Sequence, residues 1–316
     1  LKEAEQVLET LGTVDELLKK GEYKPGDEKV SRTGDTNQPK ARKSLLLRGN
    51  INDVDYLEER RLELTLPLDA RAKLPTALKP EVSLKDHQLV GVAWLQHMFN
   101  SPKNLCSGAL LADDMGLGKT IQLLTFIQSC LEVEADMDPV LIVAPVSLLE
   151  NWKEEIEKFF VKGALPVLML YGDCLKEKKL SRAEIDPLLL EEDIVKFLRP
   201  GWLGSAKVVL TTYETLRDLE FSLAAQRWSI MVCDEAQKIK NPNALVTRAA
   251  KKQNVQFKIA CTGTPVENSL LDLWCLFDFI QPGLLGALNH FGSRYRQPIE
   301  AKTDEEKAKV EELRSL

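Results

Sequence analysis

The chain has 316 residues, 44% of them apolar and 28% charged, with a formal net charge of −6. That composition supplies a core for one large domain with an appendage, and it excludes a chain too polar to fold. No run of about 18 apolar residues occurs, so no membrane-spanning helix is expected.

Cys106, Cys130, Cys174, Cys233, Cys261 and Cys275 show no Cys-x-x-Cys spacing and fall mainly in apolar runs. They read as reduced core residues in a reducing compartment, cytoplasmic or, in a eukaryote, nuclear. The chain opens at Leu1 with no charged-then-apolar leader, which reads as an excised fragment.

Taken in chain order, residues 1–20 place Val7, Leu8, Leu11, Val14, Leu17 and Leu18 at helical spacing, an amphipathic helix. From Gly21 to Lys43 there is almost nothing to bury, and the stretch reads as a flexible linker. Residues 44–79 form a small accessory segment. Leu62, Leu64, Leu66 and Leu68 alternate with polar neighbours there, so a β element is expected. Next comes Leu84-Lys85-Asp86-His87-Gln88, where the Gln88 amide offers a donor and an acceptor that can read an adenine edge.

From residue 84 onward, apolar strand-like runs alternate with helical patterns. Strands are expected at 107–112, 140–144, 166–171, 207–211, 229–233 and 257–261. Such alternation implies parallel strands joined by right-handed crossovers, an α/β doubly wound sheet with helices on both faces. A ligand belongs at the carboxyl ends of those strands.

Three segments fall there. The first strand runs into Asp113-Asp114-Met115-Gly116-Leu117-Gly118-Lys119-Thr120, and a helical pattern begins at once. Gly116 and Gly118 let backbone N–H groups turn toward an anion. Lys119 reaches β/γ-phosphates, and the Thr120 hydroxyl can ligate Mg²⁺. The general phosphate-loop pattern has glycine where this chain has Asp113. Ser229-Ile230-Met231-Val232-Cys233 then delivers Asp234 and Glu235 to a strand end; Asp234 suits Mg²⁺, and Glu235 suits polarising an attacking water. Last, Thr262-Gly263-Thr264-Pro265 is compact turn chemistry with two hydroxyls, suited to sensing a γ-phosphate.

Two other features stand apart. Residues 173–204 are too long for an ordinary crossover and read as a helical surface insertion. Between Lys238 and Lys258 lie Lys238, Lys240, Arg248, Lys251, Lys252 and Lys258 with no acid, the strongest basic run in an acidic chain. Lys251 and Lys252 are its candidate phosphate contacts, with an ordinary solvated helix face as the other reading.

Gln88 with Trp94-Leu95, the Asp113–Thr120 loop, Asp234-Glu235-Ala236-Gln237 and Thr262-Gly263-Thr264-Pro265-Val266-Glu267-Asn268 stand in the order of one family. Val143-Ala144-Pro145-Val146-Ser147-Leu148-Leu149 leading into Asn151-Trp152, then Thr211-Thr212-Tyr213-Glu214, Leu273-Trp274 and residues 291–299 add to it. Over residues 80–300 the chain resembles the first RecA-like lobe of a Swi/Snf-type ATPase of helicase superfamily two. Asp113 is usual in that family; Gln237 replaces its commoner His and leaves open how strongly this motif couples hydrolysis to movement.

The resemblance implies an ATP- and Mg²⁺-dependent translocase on double-stranded DNA. It makes Gln237, Thr262, Gly263 and Thr264 coupling residues, and Ser147, Thr211 and Thr212 contacts to the DNA backbone. It also implies a second RecA-like lobe supplying an arginine finger, to which residues 301–316 would begin the connection. A nucleotide-gated DNA-binding or scaffold module without turnover, and an RNA helicase of the same superfamily, are the alternatives. Glu235 argues against the first, and the Trp94-Leu95 and Pro145–Trp152 signatures against the second.

Overall fold

The core of this protein is a six-stranded sheet whose strands are almost wholly apolar. The structure, a computed structural model, describes residues 60–181, 197–265, 269–300 and 306–315. Strands β1 (Gly108–Leu111), β2 (Val140–Val143), β3 (Val167–Leu170), β4 (Val208–Thr211), β5 (Trp228–Asp234) and β6 (Val255–Cys261) lie in the order β1-β6-β5-β2-β4-β3. Every pairing is parallel. All four residues of β2 and of β4 are buried, as strands covered on both faces must be. This is the α/β doubly wound architecture that the alternation implied.

The pleat divides the core in two. Ile142, Leu210, Ile230 and Val232 face α1 (Asp86–Asn100), α2 (Lys119–Val133) and α3 (Val146–Phe159), packing against Leu95, Phe126, Ile127 and Trp152. Their neighbours Leu141, Val143, Val209, Met231 and Cys233 face the other side. There they meet Tyr213 and Leu216 of α5 (Tyr213–Asp218), Ala249 and Ala250 of α7 (Leu245–Lys252), and Leu276 and Phe279 of α8 (Leu270–Ile280). Short helices α4 (Gly172–Lys178) and α6 (Glu220–Ala224) fill the remaining connections. A smaller apolar cluster joins Trp274 and Cys275 to Phe291 and Tyr295, the latter in a π-helical turn after α9 (Leu288–Phe291). Two last helices are α10 (Gln297–Glu300) and α11 (Glu306–Ser315).

Register aligns the strand ends. Leu111 pairs with Cys261, Cys261 with Asp234, Cys233 with Val143, Val143 with Thr211, and Thr211 with Leu170. The segments leaving these strand ends therefore gather on one rim.

Residues 60–64 are helical, so Leu62 and Leu64 share a helical turn instead of a strand. Leu64 packs on the core and Leu62 is exposed, as one apolar face of a helical turn requires. Within 60–79 the β element is one antiparallel bridge, Leu78 with Phe160. The expected helix over 1–20, the linker over 21–43, and residues 182–196 of the insertion lie outside the described residues. All six cysteines are free thiols. No described helix is long and apolar enough to cross a membrane.

Candidate nucleotide site

The phosphate loop leaves β1 at Leu111 and ends where α2 begins at Lys119. Gly116 and Gly118 have φ of 83° and 80°, in the left-handed region that glycine enters without steric cost. At Gly118 a second constraint applies. A Cβ there would stand 2.4 Å from Gln88 Nε2, so a side chain at this position would have to displace the Gln88 amide. These turns leave Gly118 as the N-cap of a fifteen-residue helix whose first N–H groups open toward the loop, the arrangement that receives an anion.

Lys119 Nζ donates to the carbonyls of Asp113 and Asp114, at 2.7 and 3.1 Å, drawing the loop around its own ammonium. Gln122, buried on α2, donates to Asp113 Oδ2 at 3.2 Å and so fixes the loop's first residue. Met115 and Leu117 are exposed on the loop, and Thr120 stands in the first turn of α2.

Gln88 is buried. Its Nε2 donates to the Leu117 carbonyl at 3.1 Å, and its Oε1 accepts from the Lys85 N–H at 2.9 Å. Both ends of the amide therefore brace the loop and the start of α1, and reading an adenine edge would compete with those bonds. His87, to which the sequence motifs assign no role, places Nε2 3.2 Å from the same Leu117 carbonyl.

Asp234 ends β5, with Glu235 beyond it at φ 50°, ψ 53°. Among the described residues, Glu235 is the only non-glycine with positive φ. Such a conformation costs about 1–3 kcal/mol and persists only where the surroundings impose it. Here four bonds do so. Glu235 N–H donates to Asp234 Oδ1 at 2.9 Å, and Gln237 Nε2 donates to Glu235 Oε2 at 2.7 Å. The Tyr213 hydroxyl donates to the Asp234 carbonyl at 2.6 Å, and Lys238 N–H to the Glu235 carbonyl at 3.0 Å.

The other Asp234 oxygen, Oδ2, accepts from Trp152 Nε1 at 2.9 Å. Burial raises the Asp234 pKa; the bonds from Trp152 and from the Glu235 N–H oppose that shift, and the nearby Glu235 charge adds to it. The Cys261 thiol is a further, weaker donor to this carboxylate, and the lone pairs these bonds leave can serve a hard cation. Among the described residues no group of three or more His, Cys, Asp or Glu gathers as a metal cage. One aspartate and one hydroxyl do fit Mg²⁺ that takes its remaining ligands from phosphates and water.

Because β6 lies between β1 and β5, Thr262 emerges between the loop and the Asp-Glu pair. Its hydroxyl donates to Gln237 Oε1 at 2.9 Å and accepts from the Thr264 N–H at 3.1 Å. A Cβ on Gly263 would meet Met115 Cγ at 3.0 Å, so this turn also lies against the loop. Val266, Glu267 and Asn268 lie outside the described residues.

The expected DNA contacts divide. Ser147 is exposed in the first turn of α3, on the nucleotide rim. Thr211 is fully buried, and its hydroxyl donates to the Leu170 carbonyl. Thr212 is the N-cap of α5, accepting from Thr215 N–H and donating to Thr215 Oγ1. Both threonine hydroxyls are buried and spent on internal bonds: a strand covered on both faces turns Thr211 inward, and capping claims Thr212.

Lys251 and Lys252 end α7 just before β6 begins, at the opposite end of the sheet from Ser147. Lys251 pairs with Asp278 at 2.5 Å and lies over the Trp274 ring; Lys252 pairs with Glu220 at 3.2 Å and lies over Phe221. The structure does not bring them to the rim with Ser147.

Trp152 and Tyr213 were visible in the sequence only as parts of signature segments. Their hydrogen bonds to Asp234 span 82 and 21 residues and carry no local signal.

Comparison with known proteins agrees with this geometry. Residues 87–316 match the model of the SNF2-related domain. The Zorya protein ZorD of Escherichia coli O139:H28 is 52% identical over 283 residues, covering 90% of this chain and 26% of that protein. The putative ATP-dependent helicase/translocase YwqA of Bacillus subtilis is 36% identical over 225 residues, covering 71% of this chain and 22% of its own length. This chain thus spans about a quarter of those relatives. Among solved structures, the Sulfolobus solfataricus SWI2/SNF2 ATPase core in complex with dsDNA superposes with a TM-score of 0.59 at 32% identity, covering 77% of this chain and 45% of that one. With its phosphate loop, its Asp-Glu strand end and a domain match over most of its length, the chain belongs to the SNF2 family of helicase-like ATPases.

Proposed function

We propose that this chain is the ATP-binding lobe of a Mg²⁺-dependent ATPase that moves along double-stranded DNA, and that a second RecA-like lobe of the same protein completes its site. The observation that carries the reading is the hydrogen-bonded line Glu235–Gln237–Thr262 beside the Lys119 loop on one sheet rim.

In that reading the backbone from Asp114 to Gly118 cradles the phosphates. Lys119 exchanges its two loop carbonyls for β/γ-phosphate oxygens. Thr120 and Asp234 hold magnesium, which when bound neutralises phosphate charge. Glu235 orients the attacking water and takes up its proton. Gln237, Thr262 and Thr264 report the γ-phosphate, Gly263 keeps their turn against the loop, and Gln88 with His87 fixes the loop itself. DNA lies across Ser147 and the backbone at the start of α5, where Thr212 sets the helix entry. The SWI2/SNF2 core that superposes on this chain was solved with double-stranded DNA, which supports the choice of duplex DNA over RNA.

The test is made on the full-length protein. Lys119→Ala should weaken binding of a labelled ATP analogue, since it removes the charge facing the phosphates. Glu235→Gln should keep binding and abolish turnover. Phosphate release should rise with duplex DNA and not with RNA. Equal loss of affinity in the two variants, or stimulation by RNA alone, would overturn the reading.

A further inference from the structure

Two buried side chains reach Asp234 from the two elements that form the candidate DNA face. Trp152 lies on α3, five residues after exposed Ser147, or about 7.5 Å along the helix axis. Tyr213 opens α5, directly after its N-cap Thr212. At 1% and 4% exposure neither ring can touch a duplex, yet each sends its one polar atom to the end of β5: Trp152 Nε1 to Asp234 Oδ2, the Tyr213 hydroxyl to the Asp234 carbonyl.

Indoles elsewhere in the fold are satisfied differently. Trp228 donates to the Leu223 carbonyl and Trp274 to the Gly286 carbonyl, both ordinary backbone acceptors. Trp152 instead holds a carboxylate of the nucleotide site. With Oδ1 taken by the Glu235 N–H, this bond stops rotation of the carboxylate. Tyr213 fixes the peptide between Asp234 and Glu235, and through it the left-handed backbone that aims Glu235.

We infer that Trp152 and Tyr213 are positioning residues through which a duplex lying on the starts of α3 and α5 sets the geometry of the Asp234–Glu235 pair. The inference rests on the proposed DNA-dependent ATPase reading. Rigid helices carry displacement from one end to the other, and each of these has a hydrogen bond to Asp234 within two turns of the DNA face. The magnesium-binding oxygens and the water-orienting carboxylate would then respond together.

The test compares the full-length wild type with Trp152→Phe, Tyr213→Phe, and a protein carrying benzothienylalanine at 152, which keeps the indole's shape and lacks its N–H. Three quantities are read: the Mg²⁺ concentration for half-maximal binding of a labelled non-hydrolysable ATP analogue, duplex affinity by fluorescence anisotropy, and the ratio of duplex-stimulated to basal phosphate release. Loss of an outer partner of a metal ligand typically weakens metal binding about 10–100-fold. The expected result is a rise of that order in the Mg²⁺ requirement, a reduced stimulation ratio and unchanged duplex affinity.

Should Trp152→Phe melt early, the benzothienyl protein decides for residue 152. A wild-type Mg²⁺ requirement and ratio in both Tyr213→Phe and the benzothienyl protein would overturn the inference. So would a loss of duplex affinity in step with the loss of Mg²⁺ binding, which marks general damage to the face. If wild type is not stimulated by duplex at all, the DNA reading fails. The Mg²⁺ requirement of the variants then still separates positioning of Asp234 from simple packing.

Discussion

Thr262 donates its hydroxyl to the carboxamide oxygen of Gln237, 2.9 Å away, while the nitrogen of that carboxamide holds Glu235 at 2.7 Å. One neutral amide thus ties the turn after β6 to the carboxylate after β5. A glutamine can do this because it donates and accepts at once.

Gln237→Ala should keep nucleotide affinity and lower stimulated turnover, since only the tie is lost. Gln237→Glu should be worse than alanine. It replaces the donor facing Glu235 with a second negative charge, and like charges at hydrogen-bond distance strongly disfavour one another. Phosphate release by the full-length protein with saturating duplex measures both. In a double-mutant cycle, Gln237→Ala with Thr262→Ala should show a coupling of about 0.5–3 kcal/mol in the activation free energy. Strict additivity would mean that the two residues act separately.

Lys251 and Lys252 lead to a different expectation from the one their place in a basic run suggested. The Lys251 side chain is 24% exposed and paired with Asp278, at the sheet end away from Ser147. The double variant Lys251→Ala/Lys252→Ala should leave the salt dependence of duplex binding unchanged, because no phosphate contact is removed. It should lower the melting temperature. The loss at Lys251 is about 1.5–3 kcal/mol, the scale of a hydrogen bond to a charged group, and the exposed Lys252–Glu220 pair adds about 0–1 kcal/mol. A flatter salt slope would return these lysines to the DNA face.

That revision shows where the sequence was legible and where it was not. The strands were readable because Val140–Val143 and Ser229–Cys233 are apolar runs, and Gly118-Lys119 and Asp234-Glu235 marked their functional ends. A strand covered on both faces buries its side chains in either direction, and the sequence around Thr211 did not show that β4 would be so covered. The partners of the basic run, Asp278 and Glu220, lie 27 and 32 residues from their lysines, beyond any local window. The left-handed backbone at Glu235 was invisible for the same reason. Its causes, Tyr213 and Gln237, act through tertiary hydrogen bonds, and glutamate carries no preference for that conformation.

Asp234→Asn tests the electrostatics of the site. Burial raises the pKa of this carboxyl, so its charged form is disfavoured in the folded protein relative to the unfolded chain. Between the ordinary carboxylate pKa and the raised one, the folded state holds more proton, and stability falls as pH rises through that window. Above it the cost of the buried charge is fully present. Asp234→Asn should therefore raise the melting temperature at pH 7, and the gain should shrink as pH falls through the raised pKa of the wild type. The same variant should lose Mg²⁺-dependent analogue binding, the familiar exchange of activity for stability at a strained site. A destabilised variant at pH 7 would show that Trp152 and the Glu235 N–H outweigh desolvation.

The last expectation concerns the 316 residues alone. Lys119, Thr120, Asp234 and Glu235 all stand on one sheet rim, so they grip a triphosphate from one side. Completion from a second lobe supplies an arginine finger in the proposed reading, and such a group is worth about 10³–10⁵ in rate in phosphoryl-transfer enzymes. This chain should accordingly bind Mg²⁺–ATP weakly and hydrolyse it negligibly, with or without duplex. Duplex DNA cannot replace the finger, because setting the geometry of Asp234 and Glu235 supplies no positive charge on the open side of the triphosphate. Phosphate release is compared between residues 1–316 and the full-length protein at matched nucleotide occupancy. Robust duplex-stimulated turnover by residues 1–316 alone would place the whole catalytic apparatus within this sheet, and the partner of Lys119 would have to be sought among its own side chains.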